Sequence, residues 1–422
     1  MSSPTTEVPK PKTRPKLPEG WRWVKLAEVA QINPPRPRNL GLSGDEPTFF
    51  VSMSAVDDLT GMIKSPELKP FGEVCRGYTY FEEGDVLFAK ITPCMQNGKH
   101  TIASGLTNGF GFGSTEFHII RPGPSITAEW IHFYVRRPEV LSDAANHFKG
   151  AVGHQRVPSE YLENLELPLP PLETQRRIAA ILTEQMGAVE KARKAAEDGL
   201  EAARKLTAAH LRAVFESEEA RGWPGRLARE IGVVSGGIQK TPQRKPSAFH
   251  KPFLTVRNVQ NGWIDLSNVE RFEVTPEELE RYRLVRGDLL IVEGNGSRGH
   301  IGRCAIFHGE IEDCVHQNHL IRLRCHETAS PTYLFWYLAS PDGRKQLLEK
   351  AKTTTGLYTL SVSKIEALEV PLPPLETQHR IVAELNAKLE ATQALIRSLE
   401  AQLEAIRALP AAILRRAFSG EL

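Results

Sequence analysis

Two sets of side chains in this sequence are of the types that read nucleic acid. The first is Arg36, Arg38, Lys90, Gln96, Asn97, Lys99, Ser114 and Thr115. The second is Gln239, Lys240, Arg244, Arg257, Asn258, Asn295, Ser297, Arg298, Gln317, Asn318 and His319. Arginine and lysine match the acceptor edge of guanine, asparagine and glutamine match adenine, and all of these, with serine and threonine, can hold phosphate oxygens. Taken singly, each is the ordinary solvated residue of a polar loop. Their weight comes from clustering at matching places in two halves of the chain. The net charge is only +2, which leaves nucleic acid open, because a local basic patch matters more than the sum.

Catalytic chemistry is thinly represented. Gly294-Asn-Gly-Ser-Arg-Gly299 has the spacing of a dinucleotide loop after a strand. Such a loop needs a helix next, to turn its N-terminus toward phosphate. Ile301-Gly-Arg-Cys-Ala-Ile-Phe307 reads instead as another strand, so a β–β loop is expected. Asn33-Pro-Pro-Arg36 has arginine where a methyltransferase Asn-Pro-Pro loop carries the aromatic that stacks on a flipped base. Cys304, His308, Cys314, His316, Cys325 and His326 cluster, but their spacing fits no standard zinc finger or ribbon, and core or loop packing is expected. Neither a Walker lysine motif nor Gly-x-Ser-x-Gly occurs. The expectation is no catalytic residue and no metal.

The elements that must position these loops come in duplicate. Residues 168–175 read Pro-Leu-Pro-Pro-Leu-Glu-Thr-Gln, and residues 371–378 repeat them, an offset of 203 residues. The same offset places Gly84-Asp85 on Gly287-Asp288, Phe50 on Phe253, Trp130-Ile131 on Tyr333-Leu334, Tyr134 on Tyr337, and Phe215 on Phe418. This is a tandem duplication of one large unit, too few copies for a solenoid. Within each copy, short runs rich in β-branched and aromatic residues predict strands: Thr48–Met53, Asp85–Ile91 and Glu116–Ile120, then Phe253–Val256, Leu289–Val292, Cys304–Phe307 and Leu320–Leu323. Helical spacing is expected over Trp23–Ala30, over about 127–148 and over about 331–350. Asn33-Pro-Pro-Arg-Pro-Arg38 must be extended and exposed, because three prolines remove donors and fix φ. Polar loops are expected at Lys149–Arg156 and Thr353–Tyr358.

The repeated octapeptide stops a strand and starts a helix. Pro171 suits the first helical position and Glu173 the positive helix start. A long helix then runs to about 216, with Leu182, Val189, Ala196 and Ala203 at seven-residue spacing and Ala192, Leu206 and Ala213 interleaved. The second long helix starts near Leu375, with a seam of Leu385, Leu399, Ile406 and Ile413 and with Leu395 and Leu409 between. Two narrow seams need a partner. The expected partner is the other copy, in an antiparallel coiled coil of roughly 60 Å; a compact bundle is the alternative.

Length and composition add bounds. At 422 residues the chain fits two to four domains. Five cysteines without a Cys-x-x-Cys pair suggest a reducing, cytoplasmic compartment. No apolar run nears the roughly 20 residues of a membrane span, and no signal-peptide core opens the chain. Residues 1–17 read as a disordered basic tail.

The chain resembles the specificity subunits of type I restriction–modification enzymes. The resemblance is carried by the duplicated Pro-Leu-Pro-Pro-Leu-Glu-Thr-Gln, by Leu17-Pro-Glu-Gly-Trp21, by Glu83-Gly-Asp-Val-Leu-Phe88 and Arg286-Gly-Asp-Leu-Leu-Ile291, and by Ala417-Phe-Ser-Gly-Glu-Leu422. It implies an α+β chain of two mainly β target-recognition domains, separated by two long helices that form an antiparallel coiled coil. The expected division is 18–166 and 221–369 for the recognition domains, 167–220 and 370–422 for the helices. The resemblance further implies double-stranded DNA as ligand, two methylation subunits that carry S-adenosylmethionine, and two motor and nuclease subunits that use ATP. The loops of the two copies differ, so an asymmetric bipartite site is expected. An adaptor that never touches DNA and a nucleotide-using enzyme are the competing readings.

Overall fold

The computed structural model describes residues 16–151, 154–241, 249–295, 301–351 and 358–422. The chain divides into two compact units. One is built on the chain up to Glu197 together with Ala401–Leu422, the other on Asp198–Glu400. The first unit centres on four antiparallel strands, β1 (Ala30–Ile32), β2 (Val86–Ala89), β3 (His100–Ile102) and β4 (Phe117–Pro122), in the order β1-β4-β2-β3. The second centres on β5 (Gly232–Ser235), β6 (Leu289–Val292), β7 (Cys304–Ile306) and β8 (Leu320–Cys325), in the order β5-β8-β6-β7. Register follows the duplication: Val86 faces Ile120 as Leu289 faces Leu323.

The middle strands are apolar throughout because both faces are covered. Val86 and Phe88 enter a core with Trp130 and Ile131, while Leu87 and Ala89 enter a second core with Val51 and Phe81. Leu289 and Ile291 separate from Leu290 and Val292 in the same way. The second face is closed by another sheet. In the first unit it runs through Glu67–Pro70, Pro47–Val51, Phe110–Gly113 and Thr79–Glu82. In the second its strands among the described residues are Glu270–Glu273, His250–Leu254 and Val315–His316. Ahead of each middle strand a Gly-Asp turn needs a positive φ, +84° at Gly84 and +96° at Gly287, which glycine alone adopts freely. The aspartates that follow are buried and gripped by a two-pronged arginine, Asp85 by Arg121 at 2.8 and 2.9 Å and Asp288 by Arg324 at 2.7 Å twice.

The helices of eight residues or more among the described residues are α1 (Ala128–Val135), α2 (Pro138–Ala145), the long α3 (Leu172–Phe215), α4 (Pro331–Ala339), α5 (Pro341–Lys350) and the long α6 (Leu375–Ser419). The single helices expected over 127–148 and 331–350 are therefore each two. Pro138 and Pro341 push the preceding Arg137 and Ser340 out of the helical region, to ψ of 135° and 161°. The helix expected over Trp23–Ala30 is one turn, Leu26–Val29. Arg22–Lys25 before it pairs instead with Glu166–Leu169, so a distant strand overrides local spacing. The strand expected over Ile301–Phe307 is confined to β7.

The octapeptide works through its last residue. Gln175 is fully buried, accepts from the Thr127 N–H at 3.0 Å, and donates to the Ser125 and Pro170 carbonyls at 3.0 and 2.8 Å. Gln378 repeats all three contacts, with Ser330 N–H at 2.8 Å and the Thr328 and Pro373 carbonyls at 3.0 and 2.8 Å. Pro171 stands one residue ahead of the helix, where its carbonyl accepts from the Gln175 N–H at 3.0 Å. Trp130 and Tyr134 reach the Pro168 and Glu166 carbonyls at 2.9 and 2.6 Å, just as Tyr333 and Tyr337 reach Pro371 and Glu369 at 2.6 and 2.8 Å.

Within each unit the long helices pair antiparallel. In the first, Arg177 donates to the Leu422 carbonyl at 3.1 Å and Glu197 meets Arg407 at 3.6 Å. In the second, Arg204 meets Glu400 at 3.0 Å and His210 meets Thr392 at 3.2 Å. Leu385, Leu389, Thr392, Leu403, Ile406 and Ala417 are buried along α6, separated by three, four or eleven residues, so that all fall on one face of the helix. Leu395 and Leu409, expected on this seam, are 44% and 43% exposed, because each lies one residue from the position that faces the partner. In α3, Ala192 and Ala213, expected on the seam, are exposed, and Leu200, which was not expected there, is buried. Among the described residues no helix is long and apolar enough to cross a membrane.

Removing the amide of Gln378 strands one N–H and two carbonyls in a dry site. Gln378→Ala should cost about 2–4 kcal/mol in chemical denaturation; a loss below about 0.5 kcal/mol would contradict its role. Burial also pulls the imidazoles of His132 and His316 down to about 3, and that of His100 well below its ordinary value. The unfolded chain titrates histidine near 6.5. Their contribution is therefore complete above pH 6.5 and is lost as pH falls from there toward 3. Denaturation midpoints should fall between pH 7 and 5. His132→Phe should flatten the fall of the unfolding free energy over that range by about 1 kcal/mol per pH unit; an unchanged slope would contradict the neutral buried form.

Candidate nucleic-acid interface

The antiparallel order of the central sheet brings loops that are far apart in sequence to one end. In the first unit these are the chain leaving β1 at Asn33, the chain leaving β2 at Lys90, and Ser114–Glu116 entering β4. Main-chain bonds weld them. Asn33 N–H donates to Ile119 O at 2.7 Å, Lys90 N–H to Glu116 O at 2.9 Å, and Val157 N–H to Lys90 O at 2.9 Å. Glu116 then holds Arg156 through both oxygens, at 2.6 and 2.8 Å. That arginine keeps the Glu116 carboxyl below its ordinary range. Burial lowers the Lys90 ammonium, against the pull of Glu116.

The same end of the second unit gathers Gly236–Lys240 after β5, Glu293–Asn295 after β6, and Gln317–His319 before β8. Asn318 N–H donates to Ile238 O at 2.9 Å, Glu293 N–H to His319 O at 2.9 Å, and Leu360 N–H to Glu293 O at 2.6 Å. His319 Nδ1 lies 2.7 Å from Glu293 Oε2.

The expected contact residues divide by what their side chains already do. Arg38, Asn97, Thr115, Gln239 and Arg257 are exposed. Gln96 is exposed and accepts from the Thr92 hydroxyl at 2.7 Å. Ser114 Oγ accepts from the Glu116 N–H at 3.2 Å. Gln317 and Asn318 are half-buried and His319 is exposed. Arg36 folds back, donating to the Cys75 carbonyl and lying 5.8 Å from the centre of the Phe112 ring. Lys240 is ion-paired with Glu270. Lys99 donates to the Met53 and Val56 carbonyls at 3.3 and 3.0 Å, which ties β3 to a neighbouring turn. Asn258 is a correction. It is buried, and its amide accepts from Thr255 N–H and Oγ at 2.9 and 3.0 Å and donates to the Asp265 and Asn268 carbonyls at 2.9 and 3.0 Å. Nothing of it is left for a base edge. Asn295 pairs through its backbone with Tyr358. Arg244, Ser297 and Arg298 lie outside the described residues.

Residues outside the expected contact sets complete these ends. Asn33 holds a left-handed φ of +50°. Its Oδ1 accepts from Ile119 N–H at 3.0 Å and its Nδ2 donates to His118 Nδ1 at 3.0 Å, while His118 Nε2 donates to Val157 O at 2.9 Å. That chain consumes Asn33 structurally, and its fit to a methyltransferase loop ends there. The only signal for it was an asparagine ahead of two prolines. Glu116, Arg156 and Glu293 had no signal of their own, because a single carboxylate or arginine in a loop is commonplace. Gly294-Asn295 is a short strand, and the next described element is β7. Burial pushes the thiols of Cys304, Cys314 and Cys325 up to about 12, away from the thiolate a metal needs. Among the described residues, no group of three His, Cys, Asp or Glu is placed to hold a metal.

Comparison with known proteins places this architecture. The family model described as type I restriction modification DNA specificity domain matches residues 18–196 and 235–405. The specificity subunit of type I restriction enzyme EcoEI of Escherichia coli is 34% identical over 215 residues, 50% of this chain and 36% of that one. The EcoAI specificity subunit of Escherichia coli is 33% identical over 228 residues, 54% and 38% of the two chains. The chain thus spans little more than a third of the length of these two relatives. The EcoKI subunit of Escherichia coli K12 is 24% identical over 320 residues, 72% and 68% of the two chains. Two solved structures share the fold at 24% identity. One, from work on complex assembly and conformational transition of a type I restriction–modification system, has a TM-score of 0.73 and covers 96% of this chain and 100% of its own. The other, the HsdS subunit of Thermoanaerobacter tengcongensis, has a TM-score of 0.67 and covers 96% and 98%.

Proposed function

Since the chain belongs to the type I restriction modification DNA specificity family, whose model matches it twice, we propose that it is the non-catalytic DNA-reading subunit of such a system. Each unit reads one half of a bipartite site in double-stranded DNA. The observation that carries this is the pair of loop ends: one backbone frame, built twice, with different side chains on it. Equal frames give equivalent docking on a duplex, and unequal side chains give unequal half-sites. The target is therefore asymmetric. Residues 18–166 and 221–369 act as the recognition domains, and the helices within 167–220 and 370–422 set the gap between half-sites and dock the partners.

The readers in the first unit are Arg38, Lys90, Gln96, Asn97, Ser114 and Thr115. In the second they are Gln239, Gln317, Asn318 and His319, together with Arg244, Ser297 and Arg298. Arg36 and Lys240 reach phosphates by giving up their present contacts. Two methylation subunits supply S-adenosylmethionine and the methyl-transfer chemistry, and two motor and nuclease subunits use ATP. The complex works where the DNA is, in the cytoplasm.

Two measurements test this reading. With its methylation subunits, the chain should bind its duplex with a log–log salt slope of about −0.9 per phosphate contact. Arg38→Ala should reduce that slope by about one; binding that ignores salt would favour a protein adaptor. Four residues inserted into α3 between Leu182 and Leu206 add roughly 6 Å. The unmethylated gap should then grow by about two base pairs. An insertion of seven preserves the seam and controls for unfolding. A gap unchanged by both would refute the helices as spacer.

A further inference from the structure

The two loop ends share a frame and invert its charge. Lys90 of the first unit and Glu293 of the second make the same pair of main-chain bonds, to Glu116 and Val157 in one and to His319 and Leu360 in the other. A cation in the first unit is thus replaced by a carboxylate in the second, and a carboxylate by a histidine. In the first unit Arg156 closes both oxygens of Glu116, so the Lys90 ammonium is the uncompensated charge. In the second, Glu293 Oε2 holds His319 Nδ1 at 2.7 Å. Its Oε1 has no partner among the described residues. The side chain is 30% exposed and that of His319 is 55% exposed, so both face solvent at the mouth of the loops.

A carboxylate there repels phosphate and weakens non-specific binding. It gains only by meeting a donor, and the hydrogen-bond donors that base edges offer are exocyclic amino groups. We propose that Glu293 is a specificity-determining residue of the second unit, its free oxygen accepting from the exocyclic amino group of a base while His319 positions the carboxylate. Lys90, at the matching place in the first unit, donates to a base acceptor. The two half-sites are then read with opposite hydrogen-bond polarity at equivalent places. This rests on the DNA-reading function proposed above.

The test uses the full chain with its methylation subunit. Methylated sites are mapped for the unaltered chain, Glu293→Lys and Glu293→Gln. Glu293→Lys should relax or change one position in one half-site and leave the other half-site intact. At that position, duplexes carrying 2-pyrimidinone, purine or hypoxanthine remove the amino group of cytosine, adenine or guanine and so identify the base. The unaltered chain should lose about ten- to hundredfold in methylation rate on the matching analogue, and Glu293→Lys should lose nothing further. Glu293→Gln keeps an acceptor in place and should retain the position with severalfold weaker discrimination. It decides the matter if Glu293→Lys proves insoluble. An unchanged motif and unchanged analogue sensitivity in the soluble variants would overturn the assignment, as would equal losses in both half-sites. No chain-dependent motif from the unaltered chain would overturn the DNA-reading function itself, and this inference with it.

Discussion

Two buried glutamines hold this protein's plan together. At each octapeptide the chain must leave a strand, lose two donors to prolines and begin a helix of more than forty residues, all beside an apolar core. Unsatisfied carbonyls there would cost several kcal/mol. Gln175 and Gln378 each settle three of the exposed main-chain groups at once. The direction of each long helix is thereby fixed relative to the short helix beside it. Phe418 then packs on Trp130 and Tyr134, with ring centres 4.4 and 5.1 Å apart, and Phe215 on Tyr333 and Tyr337, at 5.5 Å each. The end of one copy's helix thus completes the core beside the start of the other's.

With the frame held, the far end of the central sheet is free to vary. Strand positions tolerate little change, since alternate residues fill different cores. The loops beyond them carry main-chain bonds that do not depend on side-chain identity. Lys90 and Glu293 occupy one place in one frame with opposite charges, and neither disturbs the bonds around it. A scaffold of this kind separates stability from recognition.

Much of this was legible in the sequence. An identical octapeptide, a Gly-Asp turn twice and apolar runs at one offset disclosed the duplication, because local turn chemistry leaves plain marks. What stayed hidden was set by long-range pairing. Strand Arg22–Lys25 formed against Glu166–Leu169 despite helical spacing. Leu395 and Leu409 fell off the seam by one residue, about 100° of helix, a difference that a list of leucines does not reveal. Among the expected contact residues, Asn258 and Lys99 were consumed by carbonyls that only the fold brings near. Side-chain type names what a residue can donate, and the fold decides to whom.

The most direct test of DNA reading by this chain is a genome-wide map of methylated adenines in a host carrying it with a methylation subunit, against a host lacking the chain. Two unlike reading units should give a new methylated motif that depends on the chain, split into two unlike half-sites. A palindromic motif with identical halves would contradict unequal reading by the two units. No new motif from a soluble, assembled complex would contradict DNA recognition itself.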